Sequence, residues 1–310
     1  MKYSEIALKI LALKECNYIK TNIQFWLDFN EESSIDRIVE DNLNVKNKIE
    51  DLRFKFAQED LAAYGMVCAF DDEFPQINSK VTKSEKPYLL FYRGYIDLLQ
   101  DLNRNVAVIG LIDPDEEIEK REIEITKNLI DRGLNIVSGL ANGCDTIAHS
   151  TCVENNAKTI AILPSTLNKI YPASNRALAE KIVQKGGLLL TEYFNEPNNR
   201  YEATSRYIER DRLQALFSKA VIMIASYRKG CGDSGSRHAM EYAEKCNITR
   251  YVMYNCEIDI NNERFGLNKE YVNQRKAFVL SHSALESISQ LKNQLLIKVP
   301  KVKVEQLKMF

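Results

Sequence analysis

Neither sign of charge dominates this sequence: 42 Lys and Arg stand against 43 Asp and Glu, a net charge of -1 over 310 residues. A balance so close to zero neither requires nor excludes a nucleic-acid partner, so only the local distribution of charge can speak to one. Paired cysteines are missing as well. The seven cysteines, at 16, 68, 144, 152, 231, 246 and 256, are odd in number and include no C-x-x-C pair, which excludes a zinc ribbon. Reduced thiols and a cytoplasmic location are expected. No apolar run approaches the roughly 18 residues that span a membrane, and MKYSEIALKI is too polar for a secretory leader, so no membrane partner is expected. The loop after NVAVIG holds only Gly110 of a G-x-G-x-x-G, and the turn in NIVSGLANGCDTIAH has neither the lysine nor the spacing of a P-loop. With no metal cluster and no nucleophile flanked by an orienting base, neither a cofactor nor catalysis is expected.

Glycine and proline are also absent from residues 4–63, where IALKILALKE and IDRIVEDNLNVKNKIEDLRFKF carry apolar residues at helical spacing. Residues 1–64 are therefore read as a helical N-terminal module. The next stretch, CAFDDEFPQINSKVTKSEKPYLLFYRGYIDLL, reads as a connecting extension that holds one aromatic strand, YLLFYRG. Beyond it the rhythm changes to short, continuously apolar runs: NVAVIG, NIVSG, TIAILP, GLLLTEY, AVIMIAS and RYVMYN. Such runs are strands covered on both faces, and helix-length amphipathic segments separate them. The alternation predicts an α/β fold, a Rossmann-like doubly wound parallel sheet over residues 65–258, with a C-terminal helical tail over 259–310. Ligands of such sheets bind outside the carboxyl ends of the strands, so the loops there carry the functional question.

The first of these loops, GLIDPDEEIEKRE, contains Gly110, but residues 113–124 hold seven acidic and two basic side chains. Asp before Pro, followed by acids, suits a helix satisfying its own N-terminus and would repel a phosphate. The second, NIVSGLANGCDTIAH, places Ser138, Gly139, Leu140, Ala141, Asn142, Gly143 and Asp145 at a strand-to-helix turn. There the amides of Gly143, Cys144 and Asp145 could meet an anion. His149 in the same helix reads as a packed histidine. The third, LPSTLNKIYPASNRALAE, offers Lys169 and Arg176 for phosphates, Tyr171 for stacking on a base, and a helix capped near Ser174. Residues 200–230 hold seven basic and three acidic side chains, interleaved with Tyr201, Tyr207 and Tyr227, a pattern suited to a nucleic-acid surface. After the following strand, Ser234, Gly235 and Ser236 form another small-residue turn that could bind an anion.

These loops, in this order, resemble the DNA-processing protein A family (DprA/Smf). IVSGLANGCDTIAH is similar to its Ser-Gly-Leu-Ala-Arg-Gly-Ile-Asp…Ala-His signature, matched at Ser138, Gly139, Leu140, Ala141, Gly143, Asp145, Ala148 and His149. IYPASN, which contains Asn175, resembles its Tyr-Pro-x-x-Asn; LLLTEY its Ser-Glu strand end; ERDRLQALFSKAVIM its Arg-Asn-Arg helix; and SGSRHAMEYA its Ser-Gly-Ser turn. The segment GMVCAFDDEFPQINSKVTKSEKPYLLFYRG resembles the stretch that leads into the family's fold, with Phe74 where tyrosine is usual. The resemblance implies an extended Rossmann fold that binds single-stranded DNA in a basic pocket, dimerises, and delivers the strand to a RecA-type recombinase in natural transformation or recombination, without catalysis. Arg210 and Arg212 would grip the strand.

Three cationic positions of the family are missing: GLIDPD stands for its Gly-Ser-Arg, Ala173 for the lysine after Tyr-Pro, and Asn142 for the signature arginine. Asp211 replaces the usual asparagine between Arg210 and Arg212. Each lost cation would have released on the order of one counterion on binding. The alternative is a nucleotide-binding sensor or nucleotide hydrolase of the same superfamily, although the Pro-Gly-Gly-x-Gly-Thr-x-x-Glu run of the hydrolases is absent. A further alternative is a scaffold acting through its N-terminal helices or C-terminal tail.

Overall fold

A computed structural model of the chain describes residues 1–57, 61, 63–75, 77, 81–232 and 235–291. The N-terminal residues form four helices, α1 (Glu5–Glu15), α2 (Asn22–Asp28), α3 (Glu32–Asp41) and α4 (Leu43–Phe56). The hydroxyls of Ser4 and Thr21 accept from Ala7 N and Gln24 N and so cap α1 and α2. Seven residues of α1 are buried, among them Leu8, Ile10, Leu11 and Leu13, because this helix lies between its neighbours and the sheet. Its apolar residues therefore surround the helix instead of forming one stripe.

The sheet has nine strands in the order β1-β2-β6-β5-β4-β3-β7-β8-β9. They are β1 (Tyr64–Cys68), β2 (Leu89–Gly94), β3 (Asn105–Ile109), β4 (Asn135–Ser138), β5 (Thr159–Ile162), β6 (Leu188–Thr191), β7 (Ala220–Met223), β8 (Thr249–Val252) and β9 (Phe278–Val279). From β6 to β9 every neighbouring pair is parallel. α5 (Glu116–Asp131), α6 (Cys144–Glu154), α7 (Arg176–Gln184), α8 (Arg200–Leu216) and α9 (Ser236–Lys245) connect these strands in turn, and α10 (Gly266–Asn273) and α11 (His282–Gln290) flank β9. The chain steps from β3 through β4 and β5 to β6, then returns to place β7 on the other side of β3. The strand order thus reverses at β3, where doubly wound sheets bind ligands.

The stretch expected to connect two units instead builds the sheet. β1 pairs antiparallel with β2, and β2 with β6. Lys2 also bridges to Gly65, with Lys2 N donating to Tyr64 O at 2.8 Å and Met66 N to Lys2 O at 2.8 Å. The N-terminal helices share one apolar core with these strands: Leu11, Phe25 and Phe56 pack with Leu89 and Phe91. Phe25 stacks on Tyr88 with ring centroids 4.3 Å apart. Burying a side chain of this size contributes roughly 1.5–3 kcal/mol, so the helices and the sheet stabilise each other. At the other end β9, α10 and α11 finish the sheet, while the basic tail over 292–310 lies outside the described residues. Among the described residues no helix is long and apolar enough to cross a membrane.

Candidate functional site

The loops after β3, β4, β5 and β7 converge at the carboxyl ends of the strands. Two glycines shape the turn between β4 and α6. A Cβ on Gly139 would overlap the Arg210 guanidinium, so only glycine lets that arginine lie against the turn. Gly143 has φ 73°, and a Cβ there would run into the Leu111 carbonyl. Asn175 holds the far side: its Nδ2 donates to Leu140 O at 2.9 Å and to Thr146 Oγ1 at 2.8 Å. Beneath, Ser138 Oγ donates to Val108 O at 2.7 Å, tying β4 to β3. Ser236 Oγ donates to Gly110 O at 2.8 Å across the point of strand reversal. Gly235, at φ 87°, caps α9, whereas Ser234 lies outside the described residues.

The turn differs from the open anion nest expected of it. Cys144 N donates to Leu111 O at 2.8 Å, so that amide is taken. The Asp145 carboxylate folds back onto the turn, where Oδ2 accepts from Gly139 N at 3.1 Å and Ala141 N at 3.2 Å. The protein thus supplies its own anion to these two amides, and a phosphate brought to the same spot would meet a carboxylate. What remains on the surface of the turn is Asn142, which is exposed, with Oδ1 accepting from Ser174 Oγ at 3.1 Å. Helix α7 is preceded by a 3-10 turn and has Asn175 rather than Ser174 at its N-cap. Similarly, α5 is capped by Asp115, whose Oδ1 accepts from Ile118 N, and not by Asp113.

The basic run over 200–230 divides sharply between interior and surface. Arg206, Arg210, Arg212 and Lys219 are buried, while Arg200, Arg228 and Lys229 are exposed. Arg212 forms a bidentate pair with Glu192, 2.6 Å from each oxygen, and also donates to the carbonyls of Glu85 and Glu209. Arg210 lies between two carboxylates, with Nη1 3.7 Å from Asp145 Oδ2 and Nε 3.2 Å from Asp211 Oδ1. Arg206 donates to Glu202 Oε1 at 2.6 Å and covers the Tyr193 ring at 4.2 Å. The expectation that Arg210 and Arg212 offer free cations to a strand therefore gives way to an internal network. A count of charges along the chain does not show which ones face inward.

Burial, with a smaller contribution from Asp145, raises the Asp211 carboxyl to about 7, against the opposing pull of Arg210 and of Gln214, which donates to it at 2.9 Å. Sequence reasoning missed this side chain as a titrating group, and it missed Glu122 entirely. Glu122 is fully buried beside Cys144, and desolvation raises its carboxyl well above its ordinary value. Its helical phase was the available signal, because it falls on the face of α5 that carries Ile118, Thr126 and Leu129. His149 is packed: its Nδ1 lies 2.7 Å from Thr159 Oγ1, and burial lowers its pKa to about 4.

The surface of the site lies farther out. Tyr171 is 59% exposed and meets Tyr207 edge-on at 6.5 Å between centroids. Arg176 is exposed at the start of α7. Lys169 is largely exposed and reaches Glu196 at 3.1 Å. An aromatic ledge with basic neighbours can take the faces of bases while amines and guanidinium meet the backbone.

Residues 65–290 match the sequence model of a family described as DNA recombination-mediator protein A. The chain belongs to this family. Among its relatives, Protein Smf of Synechocystis sp. is 32% identical over 179 residues, covering 57% of this chain and 42% of the relative. DNA processing protein DprA of Streptococcus pneumoniae is 37% identical over 123 residues, 40% of this chain and 42% of that one. The chain thus spans less than half the length of either of these curated relatives. The X-ray structure of the S. pneumoniae DNA processing protein A superposes with a TM-score of 0.69 at 24% identity, covering 92% of this chain and 97% of the other. The structure of DNA processing protein A from Helicobacter pylori, titled for its single-stranded DNA binding mode, superposes at 0.60 with 24% identity, covering 73% and 94%. These superpositions show that the Rossmann-like fold of the family is shared.

Proposed function

We propose that this protein binds single-stranded DNA at the carboxyl ends of its strands, acts without catalysis, and as a homodimer passes the strand to a RecA-type recombinase. The observation that carries this reading is the ledge of exposed Tyr171 against half-buried Tyr207, with exposed Lys169 and Arg176 close to Tyr171 in the chain, at the sheet end where such folds bind ligands. Family membership and the single-stranded DNA binding described for the H. pylori protein support it. In this arrangement the bases stack on the tyrosines, and Lys169, Arg176 and Asn142 meet the backbone. Residues 138–141, Gly143, Asp145, Asn175, Arg210 and Arg212 fix the shape of the loop, and Gly110, Gly235 and Ser236 close its base.

The internal pairing of Arg210 and Arg212 sets the electrostatic character of binding. Each phosphate contact on a single strand contributes about -0.7 to the slope of log affinity against log salt. The two rim cations, Lys169 and Arg176, contribute roughly -1.4 to this slope, with stacking supplying most of the affinity at the ledge. Titration of a labelled oligothymidylate across a salt series measures this directly. Absence of binding at low salt defeats the proposal, and a steep slope assigns the grip to cations other than those of the rim. Delivery to the recombinase is checked by strand exchange on DNA precoated with a single-strand binding protein.

A further inference from the structure

Where the end of α1 meets the loop after β6, the surface opens into a cavity of about 590 Å³, lined by Lys14, Lys20, Tyr193, Asn195, Asn198 and Arg206 among others. Its volume falls within the roughly 300–1,000 Å³ typical of small-ligand sites. The carboxylates on its walls are already engaged. Glu15 Oε1 accepts from Asn195 Nδ2 at 2.7 Å, Glu196 accepts from Thr166 Oγ1 and pairs with Lys169, and Glu202 accepts from Asn198 N and Arg206.

Lys14 stands apart from these pairs. Its direct contact is the Tyr88 ring, 5.8 Å from the ammonium to the centroid, and among the described residues it makes no hydrogen bond or ion pair. Glu192 acts on it through space, but both oxygens of Glu192 are held by Arg212. Burial lowers the Lys14 amine from the ordinary lysine range, against the opposing pull of Glu192 and Glu15. Lys14 is half-buried and lines the cavity, where an anion would supply the partner its ammonium does not find among the described residues.

We propose that this cavity is a phosphate subsite, with Lys14 as its central contact and the exposed Lys20 at its mouth. Its occupant is a backbone phosphate of the same DNA strand, so the assignment of the occupant rests on the DNA-binding reading. Thr166 and Lys169, on the loop after β5 that also carries Tyr171, bind Glu196 on the cavity wall. The cavity therefore continues the rim beyond the tyrosine ledge, and the strand would run from the ledge onto the N-terminal helices. These helices would contribute to binding as well as to the core.

The test uses the full chain and two readouts. In the first, an oligothymidylate is titrated across a salt series against wild type, Lys14→Gln and the Lys14→Gln/Lys20→Gln double variant; the salt slope is expected to lose about 0.7 per lysine. In the second, reductive methylation of wild-type Lys14 is followed by mass spectrometry with oligothymidylate, thymidine monophosphate or inorganic phosphate present. This readout needs no variant to fold, and protection by the oligonucleotide is the expected result. If wild type binds the oligonucleotide but the variants keep its slope and none of the three probes protects Lys14, the subsite is overturned and the DNA reading stands. If the oligonucleotide does not bind but thymidine monophosphate or phosphate protects Lys14, the subsite stands with a free phosphate ligand, and the DNA reading fails.

Discussion

The arginines of α8 and the cations of the rim belong to one charge inventory but do different work. Arg206, Arg210 and Arg212 are buried, each facing one or two carboxylates, and they hold the loops after β4, β5 and β6 in place. Arg176 and Lys169 are exposed, Lys169 in a solvated pair with Glu196, and among the described residues Lys14 has no carboxylate partner. The difference teaches that in this chain charge spent on rigidity is not available for recognition. A buried guanidinium paired with two carboxylates has little field left for a phosphate, whereas an exposed cation, even one in a solvated pair like Lys169 with Glu196, can exchange its partner for one.

That contrast can be broken most forcefully at Arg212. Replacing it by alanine leaves the largely covered Glu192 carboxylate without its partner, and removing one member of a buried pair costs about 3–5 kcal/mol. Urea unfolding of Arg212→Ala is expected to show a loss of that size; unchanged stability would mean that the arginine is not an internal strut. At the ledge, Tyr171→Ala is expected to leave the unfolding midpoint within error and weaken oligothymidylate binding by about 1–3 kcal/mol, the worth of one stacked base. Equal affinity in a fluorescence titration would remove the tyrosine from the strand's path.

Asp211 sharpens the contrast through pH. Its folded pKa of about 7 lies above the ordinary 3.8, so the native state binds more protons than the unfolded chain between these values. Its contribution to stability is therefore present at low pH and is lost as pH rises toward 7. Asp211→Asn is expected to shrink the fall in stability between pH 5 and pH 8 by about 2 kcal/mol, read from urea curves at both pH values. An unaltered pH dependence would show that Asp211 ionises normally. The smallest effect belongs to Arg176→Ala, which should reduce the salt slope of DNA binding by about 0.7 and leave stability within 0.5 kcal/mol. A slope that stays the same places no phosphate at that guanidinium.

The strands of the parallel sheet were legible because burial on both faces makes them continuous apolar runs, and all six runs appear as β3 to β8. The outer strands were not. β1 overlaps the run MVCAF beside a proline-broken stretch, and β9 is two exposed residues of AFVL between polar segments, so neither run was read as a strand; each pairs along the edge of a neighbouring strand. The turn around residues 139–143 was legible from its small residues. Its chemistry was misread, because the carboxylate that occupies its amides and the arginine beside it meet only in the folded chain. Lys14 carried no signal at all, since one lysine in the last turn of a helix looks like any solvated charge.

The sequence by itself determined the alternating architecture, the order of the family's motifs and the small-residue turns, all of which depend on local spacing and on residue size. Only the tertiary structure decided which cations face acids and which face solvent. Ion pairs form between residues far apart in the chain, and a guanidinium becomes a strut or a contact according to what the fold places within about 4 Å of it.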